Sequence, residues 1–288
     1  MKNKLLCFLV LIFCTAVFLL TCSSAPKNPG EIFLLRDQAE AGLVAANHEA
    51  SRGNFEVSRT MLAEYKRLAV LADDQSLIIR VCLSYGNVLY SLGRADEAFA
   101  EWDRALYEAG KLGSAEILSL VKIFYARGNL LSGKVTPDAA LIEVTRESAN
   151  IKSSRTYIAF SWQVRGLALR LLERWSEAEN AVRQSLAIHE KDKYLENASY
   201  DWYTIASIRS LSGNLQGALQ ALETSIAFDR RVENSWGLAA SWRAMGDVLR
   251  KAGRESDAVL AYQRSRDIFT AMGKEDEARE IDKRLEIQ

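Results

Sequence analysis

The stretch Gly128-Asn129-Leu130-Leu131-Ser132-Gly133-Lys134-Val135 comes nearest to a chemical motif in this chain. Glycines placed this way before a lysine cradle phosphates with backbone N–H groups, and a following Ser or Thr holds magnesium. Val135 has no hydroxyl, helical periodicity rather than a strand leads in, and Gly128 serves as a packing glycine. His48-Glu49 opens like a zinc-protease helix, but Ala50, Ser51 and Arg52 follow where a second histidine is needed. The other histidine, His189, lies far along the chain. Two histidines and Cys82 cannot supply the usual zinc ligand sets, and no Gly-x-Ser-x-Gly elbow occurs. The many carboxylates sit in helical segments, where they decorate solvated faces. The expectation is a chain without catalytic residues, metal or cofactor, and carboxylate-only chemistry is the one catalytic class the sequence leaves open.

The remaining cysteines speak of address. Lys2 and Lys4 precede an apolar run from Leu5 to Leu20, followed by Thr21-Cys22-Ser23-Ser24. A basic start with a short apolar run is the pattern of a secretory signal. Leu19-Leu20-Thr21-Cys22 resembles the lipobox of bacterial lipoproteins, with Thr21 where Gly, Ala or Ser is usual. That resemblance implies a signal peptide over 1–21 and a lipid, palmitate included, on Cys22. Ordinary cleavage after Ala25 and an uncleaved anchor stay open beside it. Each places the body outside the cytoplasm, and the lipid or the uncleaved anchor would tether it to a membrane. Residues 22–30, with Pro26 and Pro29, read as a linker. Cys7 and Cys14 fall in the signal, so no intramolecular disulfide is expected.

The elements that would carry a site follow from composition and repetition. The 288 residues hold 37 basic and 37 acidic side chains, and with no basic excess nucleic acid is not an expected partner. Only three prolines occur, and Ala, Leu, Glu, Arg and Ser dominate, which favours helices. Trp162, Trp202 and Trp242 are 40 residues apart, as are Gly53 and Gly93, and Gly213 and Gly253. Small residues recur at Ser58, Ala98, Ala140, Ala178, Ala218 and Ala258. Within each copy apolar residues recur at three and four, the helix period, on both sides of a break that often carries Gly.

This pattern resembles tetratricopeptide repeats: Trp242, Gly246, Gly253, Ala258 and Tyr262 match in order, as do Trp162, Gly166, Trp175 and Ala178. Cys82, Gly86, Gly93, Ala98, Trp102 and Ala105 fit too, with Cys82 as a core residue. The resemblance implies an all-α, right-handed α-solenoid of about six helix pairs over 31–272, with a C-terminal capping helix over 273–288. In the third repeat the expected register aligns Gly128 with Gly86, which puts Phe124 and Leu131 inside and spares Lys122 from burial, with Thr136 as N-cap and Pro137 opening the second helix.

In the family, first helices line a concave groove. Mapped onto this chain, the groove positions are Asn47, Asn87, Tyr90, Lys122, Tyr125, Asn129, Phe160, Gln163, Tyr200, Tyr203, Arg243 and Arg250, with Arg80, Leu83, Arg170 and Asp247 beside them. Asn47, Asn87 and Asn129 would form an amide ladder able to bond a peptide backbone; the plainer reading is that Asn is common there in the family. The expected function is an envelope scaffold that grips a protein or peptide and is held at the membrane by its lipid. The alternative is an accessory lipoprotein that binds or passes a small molecule for a transporter. A peptide-sensing regulator ranks third, because such regulators act in the cytoplasm and this chain carries an export signal.

Overall fold

The computed structural model describes residues 33–286; Cys22, the signal segment and the linker lie outside the described residues. Among the described residues there are thirteen helices and no strand. Six pairs follow one another: α1 (Leu34–Ser51) with α2 (Phe55–Leu71), α3 (Gln75–Ser91) with α4 (Ala95–Leu112), α5 (Ala115–Leu131) with α6 (Pro137–Ser148), α7 (Arg155–Leu171) with α8 (Trp175–Asp192), α9 (Leu195–Leu211) with α10 (Leu215–Arg231), and α11 (Ser235–Lys251) with α12 (Glu255–Ala271). A final helix, α13 (Glu275–Glu286), packs against α12. Each helix packs on its chain neighbours, which is the all-α solenoid expected.

The period is stricter than the sequence pattern suggested. First helices begin at Gln75, Ala115, Arg155, Leu195 and Ser235, and α13 at Glu275, an unbroken step of 40. Turns inside the pairs put Gly53, Gly93, Gly133, Gly213 and Gly253 at φ between 70° and 87°. Glycine takes that left-handed conformation without a Cβ penalty. Glu173 occupies the same place in the fourth pair at φ 58°.

This step corrects the register of the third pair. The counterpart of Gly86 is Ala126, and Lys122 falls in the column of Cys82, Trp162, Trp202 and Trp242. That column becomes half-exposed after Cys82, so Lys122 need not be buried: its side chain is 38% exposed, and Nζ lies 3.6 Å from Glu147 Oε1. Leu131, expected inside, is 41% exposed. Phe124 is half-buried and stacks on Phe160 at 4.2 Å between centroids. The irregularity sits in the turn instead. Helix α6 opens at Pro137, two residues later than the other second helices, and runs only 12 residues. Its start is as expected, with Thr136 Oγ1 accepting from the Ala139 N–H.

Gly128 nonetheless has a packing role. Trp102 of α4 is fully buried between two helices. A Cβ on Gly86 would lie 2.2 Å from its Nε1, and one on Gly128 2.3 Å from its Cζ3. Each glycine is the gap that admits one side of the indole. Gly128 therefore meets the preceding second helix, whereas Gly86, Gly166 and Gly246 meet their own.

Buried polar pairs join first and second helices both within a repeat and from one repeat to the next. Ser119 Oγ donates to Glu147 Oε2 at 2.7 Å. Ser185 Oγ donates to Asp201 Oδ2 at 2.9 Å. Ser225 Oγ lies 3.0 Å from Ser199 Oγ and 3.1 Å from Ser241 Oγ. Buried polar groups must be paired to be tolerated; Ser119–Glu147 and Ser199–Ser225 fix helices within a pair, and Ser185–Asp201 and Ser225–Ser241 fix one pair on the next.

Candidate binding groove

The first helices are tied together on their groove side by polar links one repeat long. Arg80 Nη2 meets Glu40 Oε1 at 2.7 Å, Arg127 Nη1 donates to Asn87 Oδ1 at 3.4 Å, and Arg170 Nη1 donates to Ser207 Oγ at 2.9 Å. Three cavities open along this face and share Tyr203. The first, about 280 Å³, is lined by Asn87, Arg127, Phe160, Gln163, Arg170, Tyr200 and Ser207 among others. The second, about 430 Å³, takes in Gln163, Tyr200, Ser199, Asp229, Trp236 and Arg243. The third, about 180 Å³, lies between α9 and α11, at Ser210 and Asp247.

Of the residues mapped from the sequence, the structure brings Asn87, Phe160, Gln163, Tyr200, Tyr203 and Arg243 to these joined cavities. It places Lys122, Tyr125 and Asn129 elsewhere, in a separate cavity of about 240 Å³ against Leu106, Val135 and Glu143. The two-residue slip explains this, since two residues turn a helix by about 200°. Tyr125 donates its hydroxyl to Asp103 there. The amide ladder is likewise two rungs: Asn47 and Asn87 are followed after 40 residues by Arg127, not Asn129, and Asn47 is exposed and lines none of the three joined cavities. Tyr90 stacks on Trp102 at 6.0 Å. Arg250 pairs with Glu255 at 2.8 Å and donates to the Arg284 carbonyl. Leu83 is buried. Arg127 was missed, although stepping 40 residues from Asn87 finds it.

Reactive-looking groups on the described residues are held in structural roles. Ser185, His189 and Asp201 cluster, with His189 Nδ1 2.7 Å from Asp201 Oδ2, and Gln163 Nε2 donates to Asp201 Oδ1 at 2.8 Å. The serine donates to the carboxylate rather than to the imidazole, and His189 and Asp201 are 2% and 0% exposed. A nucleophile needs its hydroxyl on the base and open to substrate, so this is packing polarity. Burial pushes the Cys82 thiol up to about 12, which leaves no thiolate to react. Burial also raises the Asp229 carboxyl to about 6, against hydrogen bonds from Ser199 and Asn234 that favour its ionised form. Among the described residues no group of three His, Cys, Asp or Glu could hold a metal ion. No described helix is long and apolar enough to cross a membrane.

The first pair also reaches the last ones. The Phe55 ring meets Trp236 edge-on at 5.6 Å, Lys274 Nζ donates to the Gly53 carbonyl at 2.6 Å, and His48 Nδ1 lies 3.5 Å from Glu196 Oε1. A Cβ on Gly53 would fall 2.2 Å from the Trp236 ring. Ser51 thereby joins the lining of the largest cavity.

No family model matches the chain, and no curated protein matches it. Among solved structures it is similar to a Rap protein complexed with Competence and Sporulation Factor, at 16% identity and TM-score 0.61 over 89% of this chain and 75% of that one. It is similar to PlcR of Bacillus thuringiensis in complex with the peptide PapR7 and DNA, at 13% identity and TM-score 0.63 over 87% and 99%. It is similar to BtubC of P. vanneervenii, at 15% identity and TM-score 0.56 over 82% and 92%, and to the TPR-like repeats of a kinesin light chain of Podosopora anserina, at 17% and TM-score 0.52 over 68% and 96%. At such identities the likeness is one of fold. The class it defines is the TPR-like helical repeat solenoid.

Proposed function

We propose that this chain binds an extended peptide or a protein segment in the groove of α5, α7, α9 and α11, and that a lipid on Cys22 holds it at the bacterial cell envelope. One observation carries the binding half: the joined cavities are walled by Phe160, Tyr200, Tyr203 and Trp236 and interleaved with Asn87 and Gln163. Rigid aromatics anchor a ligand, and side-chain amides both donate to and accept from an extended backbone. PlcR, a solved structure of like fold, is in complex with a peptide, which supports the same use of the scaffold. The address half rests on the lipobox-like residues Leu19 to Cys22. The chain acts as an adaptor rather than an enzyme.

The test is recovery of companions from detergent-solubilised membranes by the full chain and by Tyr200→Ala/Tyr203→Ala. A stoichiometric partner that the double variant loses, with unchanged thermal unfolding, is the expected result; equal recovery by both would remove the groove from the account. For the anchor, Cys22→Ser should move the protein from the membrane to the soluble fraction. A second reading, a small-molecule carrier, is favoured only by the largest of the three joined cavities, whose volume of about 430 Å³ lies in the range of ligand sites. A stabilising metabolite in a thermal-shift screen, with no protein companion, would replace the first reading by the second.

A further inference from the structure

Among the described residues several cations on the helix faces are neutralised by carboxylates. Arg80 pairs with Glu40, Lys122 with Glu147, Arg209 with Glu179 and Arg250 with Glu255. In the cavity between α5, α7 and α9 two cations converge with no carboxylate beside them. Arg127 and Arg170 both line it, and its other lining residues include hydroxyls, amides and apolar groups but no Asp or Glu. Each guanidinium makes one hydrogen bond, Arg127 to the Asn87 amide oxygen and Arg170 to the Ser207 hydroxyl. Both acceptors are neutral, and the remaining N–H groups have no acceptor in the described residues. Both arginines are half-buried. The free N–H groups of both arginines are open to an anionic ligand, and a guanidinium presents a planar fork of donors that matches a carboxylate.

Resting on the peptide reading above, we infer that the cavity between α5, α7 and α9 seats a carboxylate of the bound peptide, its C-terminus or an Asp or Glu side chain, between Arg127 and Arg170. Tyr200 and Tyr203 carry the chain onward from there into the largest cavity. That cavity has the opposite balance: Glu196 and Asp229 face one arginine, Arg243, among Trp236 and the two tyrosines. The groove is thus cationic at the α5–α7–α9 end and more acidic toward α10 and α11. A peptide would lie with its carboxylate toward α5.

Two pools of random heptapeptides test this, one with free C-termini and one amidated, passed over the immobilised chain and over Arg127→Gln/Arg170→Gln, with bound peptides sequenced by mass spectrometry. Wild type should retain free C-termini, or Asp- and Glu-bearing peptides, at least tenfold over their neutral counterparts. The double Gln variant should lose that enrichment, and Arg127→Lys/Arg170→Lys should keep part of it because the charge remains. Matching thermal unfolding of the three proteins excludes misfolding as the cause. Capture of peptides without any carboxylate preference overturns the inference and leaves the groove reading standing; capture of none from either pool overturns both. Elution by inorganic phosphate where equal acetate has no effect would also overturn it, by assigning the cavity to phosphoryl groups.

Discussion

At Asp229 one carboxyl is buried beside the cavity of about 430 Å³, held by Asn234 at 2.9 Å. The folded chain keeps its proton up to a pH of about 6, whereas the unfolded carboxyl gives it up near 3.8. The folded state therefore binds the proton more tightly. This stability is full at pH below 4 and is lost as pH rises through 6, a loss on the order of 3 kcal/mol by linkage. Asp229→Asn, neutral throughout, should gain stability relative to wild type between pH 4 and 6 and hold that gain above it. Urea titrations across the range check this, and parallel curves for the two proteins would show that the carboxyl is not desolvated as described. The seam residues Ser119, Ser185, Ser199, Ser225 and Ser241 were invisible as a group in the sequence. A serine in an apolar stripe reads as a small residue until the partner helix supplies its hydrogen bond.

At the scale of elements the helix pairs were legible, because Gly turns and small residues punctuate each copy. What misled was composition in the third pair. Gly128 looks like the counterpart of Gly86, and Lys122 looks too polar for a column of large residues. Neither inference allowed for Trp102 reaching both glycines, or for a Trp column that is itself half in water. Three groove assignments followed the slip and moved to the far face of α5. Glu173 is the element-scale exception that can be tested. Its left-handed φ of 58° carries strain that glycine at the other turns inside pairs lacks, on the order of 1 kcal/mol, partly offset by the entropy a glycine adds to the unfolded chain. Glu173→Gly should raise stability by about 0.5 kcal/mol and lift the melting temperature by a few degrees at most. A drop in melting temperature would mean the glutamate makes a contact worth more than its strain.

Across the whole described unit, the contact between the first pair and the later ones had no sequence signal. Repeats announce their neighbours, not how far the winding goes before one end meets the other. Here Trp236, between Phe55 and Phe269, is the joint. Trp236→Ala should speed amide hydrogen exchange at Gly53 and Asn54 while leaving α3 to α5 unchanged, since only the joint is lost. Uniform acceleration would instead mean that the array unfolds as one body and the joint is not separable.

The central claim is that the groove, and not the outer surface, meets the partner. Its most direct test is a photo-crosslinking residue placed at Tyr203, where three cavities meet, and in a second protein at Tyr107, which is 58% exposed on α4 and lines none of them. Irradiation in intact cells should give a defined adduct from position 203 and none from position 107. An adduct from 107 with none from 203 would contradict the account and move the binding surface to the second helices.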